Sequence, residues 1–242
     1  MPNPILSEKA FDYELKYENT MTVNGAINKC IILTLILILS ALTSVFFVLS
    51  RKPELIYPAV IASSIGAFVL AIIVSFKKES AKVLSVFYAI FEGIAIGAIS
   101  YVFNTIYDGI VIQAVFFTFT DLFIMLFLYK FKIIKVTEKF KSIILASTLC
   151  IAILYLINFI LSIFNMRVPF IYGSSPISIG ISAIIVVIAS FNLLLDFDLI
   201  EKGEYNNMPE YFEWYTAFGV LVTLAWIYLE ILKLLSKIKS RD

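Results

Sequence analysis

Seven long apolar runs dominate the sequence and decide what the chain can fold into. They cover about 31–49, 55–76, 83–106, 109–129, 142–165, 175–199 and 214–235. At a helical rise of ~1.5 Å per residue, runs of this length cross the ~30 Å hydrocarbon core of a bilayer. Backbone groups in lipid must be bonded within their own segment, and the runs lack the alternating polarity of barrel strands. We therefore predict seven transmembrane α-helices.

Composition and spacing leave no room for a second, soluble domain. Of the 242 residues, 61% are hydrophobic, whereas a soluble domain is about half apolar. We predict an all-α integral membrane protein with a polar cytoplasmic N-terminal segment at 1–30, a seven-helix domain at 31–236 and a basic tail at 237–242. Charged residues such as Glu8, Lys9 and Asp12 precede the first apolar run, which is unlike a cleaved signal peptide.

The distribution of lysine and arginine favours a cytoplasmic N-terminus. With that orientation, twelve basic residues lie on the cytoplasmic side and only three, Arg51, Lys52 and Arg167, lie in outer loops. The tail residues Lys233, Lys237, Lys239 and Arg241 disagree with this bias if the seventh span crosses fully. We expect full crossing because the run is long enough, and a re-entrant last segment is the alternative.

Several classes of function are excluded by what the chain lacks. It has no histidine, so histidine metal sites, Ser-His-Asp catalysis and histidine pH sensing are absent, and any proton switch must use carboxylates. A net charge of +1 argues against nucleic acid as a partner. No nucleophile–base pair, phosphate-binding loop or metal-ligand cluster is recognisable. We therefore expect a non-enzymatic protein without a cofactor, whose first partner is the lipid bilayer.

Acidic residues inside the apolar runs are the most informative feature for function. Five occur there: Glu92, Asp121, Asp196, Asp198 and Glu230. A carboxylate at the centre of a span costs about 2.5–3.5 kcal/mol on insertion scales, so such residues usually face the bundle interior. No lysine or arginine lies deep in any run. We therefore expect these acids to be protonated, to share protons or to meet cations.

The third run places Glu92 beside a ridge of small residues. Gly93 and Gly97 are four residues apart, which lets another helix approach closely. Glu92 is then either a protonatable group on a packed face or a neutral acid bonded to a neighbouring helix. The ridge could also receive a separate membrane protein.

The sixth run ends in a group of polar residues on two faces. Asn192 and Asp196 are four apart and share one face, which makes Asp196 the acid expected to face the bundle. Asp198 aligns instead with Glu201 and is expected at the mouth of a pathway or as a solvated helix end.

The seventh run carries a polar seam along one face. Its members recur at steps of three and four residues: Glu213, Thr216, Gly219, Thr223, Trp226 and Glu230. A helix that faced only lipid would not need this seam. It predicts a central or pathway-lining helix, with ordinary helix packing as the alternative.

Four segments together resemble the Bax inhibitor family, in its bacterial, YccA-like branch. They are 21–29, the Glu92–Gly93 segment, 191–201 and 213–233. The resemblance extends from about residue 20 to the end of the chain. It implies a seven-helix fold with the last helix central, in a bacterial inner membrane, and a pH-sensitive calcium leak.

The same resemblance implies a pair of acids that share a proton and gate the path. The first acid corresponds to Asp196, or to Asp198 in another alignment, and the second belongs to the seventh helix. This chain has Thr223 in the matching region. The second acid would then be one of three others: Glu92, Glu213 or Glu230.

The leading functional hypothesis is a cation leak, with calcium as the transported ion, gated by protonation of buried carboxylates. A calcium site at Asp196 is one further expectation, because calcium prefers several oxygen ligands. The first alternative is a non-conducting regulator of membrane proteases or of stress and cell-death partners. The second is a proton-coupled transporter, against which the lack of internal repeats counts.

Overall fold

The computed structural model describes residues 19–49, 51–164 and 173–241, without the side chains of 47–49. Within these residues the chain forms seven long helices: α1 Val23–Thr43, α2 Ile56–Phe76, α3 Ala81–Ile106, α4 Ile110–Lys130, α5 Glu138–Ile163, α6 Pro176–Tyr205 and α7 Tyr211–Lys239. All seven are long and apolar enough to span a membrane. The predicted all-α membrane fold is confirmed. Most of the polar N-terminal segment, and Arg167, lie outside the described residues.

Polar capping residues determine where the helices begin, and hydropathy alone does not predict these starting points. α1 starts at Val23, before its apolar run, because the Thr22 hydroxyl accepts a hydrogen bond from the Gly25 N–H at 2.9 Å. Thr137 caps α5 in the same way. The polar residues from Asn24 to Lys29 are therefore helical. At its other end, α1 continues into a π-helical turn at Ser44–Leu49.

The last helix lies at the centre of the bundle, as predicted. α7 packs against α1, α3, α4 and α6, while α2 packs mainly on α3 and α5 on α6. Over half of the most apolar stretch of α7 is buried (56%), the largest share among the seven described spans. α2 and α5 thus form an outer layer, and four helices pack closely around α7.

α7 crosses the bundle without a break, so the re-entrant alternative is not adopted. Its first residues lie beside the entry to α1, where Thr20 and Pro209 form an isolated β-bridge. At its far end the Lys239 ammonium donates to the carbonyl of Asp108, in the α3–α4 turn, at 3.1 Å. The two ends of the described chain therefore lie on opposite sides of the bundle.

The glycine ridge of α3 receives α1 of the same chain. A Cβ built on Gly93 would lie 2.4 Å from the Leu37 carbonyl oxygen, and one on Gly97 would lie 2.7 Å from that of Ala41. The predicted close approach is confirmed, and its partner is internal. The ridge is therefore not free to receive another protein.

Replacing Gly93 by alanine should destabilise the protein by about 1–3 kcal/mol, because the added methyl group overlaps the α1 backbone. Gly180→Ala is the matched control, since nothing lies within 4 Å of a Cβ there and alanine favours helix. Thermal unfolding in detergent micelles measures both. Equal melting temperatures for the two variants would contradict the close α1–α3 packing.

Candidate functional site

Asp196 lies between α6 and the central helix. The Thr223 hydroxyl donates to Asp196 Oδ2 at 2.6 Å. The carboxyl group also lies against Gly219, where a Cβ would stand 3.5 Å from Asp196 Oδ1, in ordinary van der Waals contact. The structure therefore places Asp196 against Thr223, the residue that stands in the region where the resemblance implied a second acid.

Asp196 has no ion-pair partner within the described part of the chain. The salt bridges there involve other acids, and neither Glu92 nor Asp121 takes part in one. The expectation of unpaired acids thus agrees with the structure for these three residues. Because ionised carboxylates are costly to bury, such groups bind either a proton or a cation.

Glu92 stands at about the depth of Asp196, on another side of α7. Its carboxyl group interacts with the Tyr88 hydroxyl, one helical turn earlier on α3. The Tyr88 ring packs edge-on against Phe218, with 4.9 Å between ring centroids. Thr223, which bonds to Asp196, lies five residues after Phe218 on α7, and Glu92 lies four residues after Tyr88 on α3. Starting from the ring contact, both residues are thus a little over one helical turn further along the bundle. Two carboxyl groups therefore flank α7 at similar depth, but no hydrogen bond joins them within the described residues.

Asp198 is ion-paired, which corrects the expectation that it lacks a basic partner. Its Oδ2 atom lies 2.9 Å from Nζ of both Lys141 and Lys202. Lys141 comes from the first turn of α5, and the sequence does not reveal which helix end lies beside α6. The neighbouring Glu201 accepts a hydrogen bond from Tyr129. Both acids at this helix end therefore have partners that hold α4, α5 and α6 together.

Glu230 is also paired, so the same expectation is wrong for it. Its side chain is 2% exposed, and its Oε1 atom accepts from the Tyr155 hydroxyl at 2.8 Å and from Lys233 at 3.0 Å. Lys233 reaches the acid from the following turn while its own side chain stays 45% exposed. Glu230 thus fastens α5 to α7.

Glu213 joins the start of α7 to the start of α1. It is buried, and it accepts from the Thr22 N–H at 2.8 Å and from Lys29 Nζ at 2.5 Å. We call residues 19–25 and 203–213 the clamp. Its backbone is joined by the Met21 N–H bond to the Met208 carbonyl at 2.8 Å. The sequence analysis found Glu213 but missed Lys29 as its partner, because Lys29 was placed in a polar segment before the first span.

Two further polar residues link α4 and α5 to α6. Asn192 donates to the Thr148 hydroxyl of α5 at 2.9 Å, so it is a packing contact as well as a neighbour of Asp196. Asp121 of α4 interacts with Ser190 of α6, and its Oδ2 atom has no hydrogen-bond partner among the described residues. Asp121 therefore lies inside the bundle, away from the contact between Asp196 and Thr223.

The geometry does not form a resident calcium site at Asp196. No group of three or more Cys, Asp or Glu side chains that could hold a metal occurs among the described residues. Calcium takes six to eight oxygen ligands in proteins, and the hydrogen-bond partner of this carboxyl group is a single hydroxyl.

Comparison with known proteins identifies one family. The family model described as "Bax inhibitor 1 like" matches residues 3–240, nearly the whole chain. No curated protein and no solved structure gives a significant match. The family resemblance read from the four sequence segments is thus confirmed, whereas the comparison does not test its bacterial branch.

Lys29→Met should destabilise the protein by about 3 kcal/mol, because it leaves the buried Glu213 carboxylate without a cation. Adding Glu213→Gln should recover much of this loss, since the neutral amide still accepts from Thr22. Thermal unfolding of the single and double variants in micelles measures the coupling. Lys52→Met, at an exposed position, is the control. A Lys29→Met loss no larger than that of the control would show that the clamp does not depend on this pair.

Proposed function

The chain belongs to the Bax inhibitor 1-like family, and from that premise we propose that it is a pH-sensitive cation leak gated at Asp196. Calcium is the cation that we propose as its cargo. One observation carries the proposal: an acid sits against the central helix with a neutral hydroxyl as its partner and no salt bridge in the described part of the chain.

Competition between protons and cations at one carboxyl group provides the pH sensitivity. A buried carboxylate is stabilised either by binding a proton or by a nearby cation, so each opposes the other. The Thr223 hydroxyl can donate to the ionised form or accept from the protonated form. It therefore keeps Asp196 oriented in both states, and a single acid replaces the proton-sharing pair that the resemblance implied.

The clamp is a second barrier that we propose, on one side of the gate at Asp196. It occupies the α6–α7 corner, with Met21 buried against Gly203 and Glu204 accepting from the Val23 N–H at 2.9 Å. A cation leaving Asp196 toward this side must pass the clamp, which holds three carboxyl groups, Glu204, Glu210 and Glu213. Glu92, at similar depth beyond α7, is the second acid that could contribute to proton sensing.

The cellular setting is part of the same proposal. We place the chain in a bacterial inner membrane, in the YccA-like branch of the family, with a cytoplasmic N-terminus and without enzymatic activity. The excess of lysine on the side where α1 begins supports this orientation. The clamp would then lie at the cytoplasmic face.

The alternatives have less support from the structure. The glycine ridge that suggested a protein partner is filled by α1, so nothing in the described chain specifically favours a regulator of proteases or cell-death proteins. A proton-coupled transporter likewise gains no particular observation. These two alternatives become the leading hypotheses if the protein does not conduct cations.

Asp196→Asn should remove the pH dependence of calcium flux. Asparagine resembles the protonated acid, so the variant should conduct at every pH as the native protein conducts in acid. The measurement is calcium entry into dye-loaded proteoliposomes at about pH 6 and about pH 8, a range in which buried carboxyl groups can titrate. Glu54→Gln is the control, because Glu54 is exposed and takes part in no salt bridge among the described residues.

Glu92→Gln in the same assay separates the two acids that flank α7. If this variant loses the pH dependence while Asp196→Asn keeps it, Glu92 is the gating acid and the assignment to Asp196 fails. If the native protein shows no flux at either pH, while a known channel conducts in parallel vesicles, the leak itself is excluded.

A further inference from the structure

A groove of about 420 Å³ lies on the bundle surface between α1 and α4. These two helices do not pack closely against each other in the described chain, so α3 and α7 form the floor between them. Its walls include Ala41 of α1, Ile96 of α3, Val115 of α4 and Ala225 of α7. All four belong to membrane-spanning segments. The groove therefore opens sideways into the hydrocarbon of the bilayer.

The deep hydroxyl groups of the groove are already bonded within the protein. Ser100 and Tyr228 are joined by a hydrogen bond of 2.6 Å, and Thr118 donates to the Ala114 carbonyl at 2.8 Å. Water or a polar solute would gain little from this floor, because its polar atoms have their partners. A hydrocarbon chain loses nothing there and gains contact with the apolar walls.

The end of the groove near the α3–α4 turn is polar. Tyr101 and Asn104 line it from the last turns of α3. Lys239 lies beside the turn itself, where it donates to the carbonyl of Asp108. An apolar trough with a polar, cationic end matches the chemistry of a phospholipid, which has an acyl chain and an anionic headgroup.

We propose that this groove binds one acyl chain of a membrane phospholipid, with the headgroup at the α3–α4 turn beside Lys239. The polar end beside Lys239 favours a phospholipid over a partner helix, because a basic group at the end of an apolar groove pairs with an anionic headgroup. This lipid site does not depend on the proposed ion leak.

The bound chain would rest directly on the central helix. Leu221 and Ala225 line the groove, and each is two residues from Thr223, which faces Asp196. Two residues correspond to ~200° around a helix. The lipid therefore contacts the face of α7 opposite to the one that holds the acid.

Native mass spectrometry of the full chain, released from micelles with added phosphatidylglycerol, tests this site. Val115→Trp fills the groove from its rim, and Val69→Trp is the matched control, because these valines are 41% and 48% exposed and Val69 does not line the groove. We expect the native protein and Val69→Trp to retain one phospholipid. Val115→Trp should retain it at least about fivefold less often, since part of the apolar contact is lost.

Ala225→Phe, which fills the floor, should cause the same loss, provided that it elutes and unfolds like the native protein. Equal retention by Val115→Trp and Val69→Trp would overturn the site, as would native protein that retains no phospholipid.

Lys239→Gln should reduce retention of phosphatidylglycerol but not of phosphatidylcholine, and equal retention of both lipids by this variant would overturn the placement of the headgroup. A protein crosslinked stoichiometrically at Ile112 in native membranes would show that a partner, and not a lipid, occupies the groove.

Discussion

Lipid offers no hydrogen bonds, and the central helix of this bundle carries several polar side chains that must be satisfied by the protein itself. The buried polar residues of α7 are Glu213, Thr216, Thr223 and Glu230. Three of them bond to other helices: Glu213 to α1, Thr223 to α6 and Glu230 to α5. These bonds, with apolar packing between them, determine where the surrounding helices lie. The position of α7 is therefore the constraint on which the rest of the bundle depends.

The acids of the bundle divide into two groups by the charge of their partners. Glu213, Glu230 and Asp198 each bond to a lysine, and removing either partner would leave an unpaired charge. Four acids interact instead with neutral hydroxyl groups: Asp196, Glu92, Asp121 and Glu201. A carboxyl group with a neutral partner can exchange a proton or a cation without breaking an ion pair. Of these four, Asp196 is the acid whose hydroxyl partner belongs to the central helix, so we propose Asp196 for the pH response and the helix-holding role for the paired acids.

Much of the fold follows from the sequence, because lipid imposes simple rules on length and polarity. Hydropathy located the seven spans, and the polar seam of α7 predicted its central place. The glycines of α3 predicted a close contact without identifying α1 as the partner. The pairing of Lys29 with Glu213, and of Lys141 with Asp198, was not foreseen. Such pairs depend on which helix ends become neighbours, and no periodic pattern in a single chain records that.

The roles of Asp196 and Glu92 remain predictions, and the competition between protons and cations at Asp196 is the central one. Infrared spectroscopy of the protein in lipid nanodiscs follows the C=O stretch of a protonated carboxyl group directly. At a fixed, mildly acidic pH, added calcium should remove part of this band from the native protein, and Asp196→Asn should show no such change. A band that is insensitive to calcium and to pH, or one that responds equally in Asp196→Asn, would contradict the assignment of Asp196 as the gate.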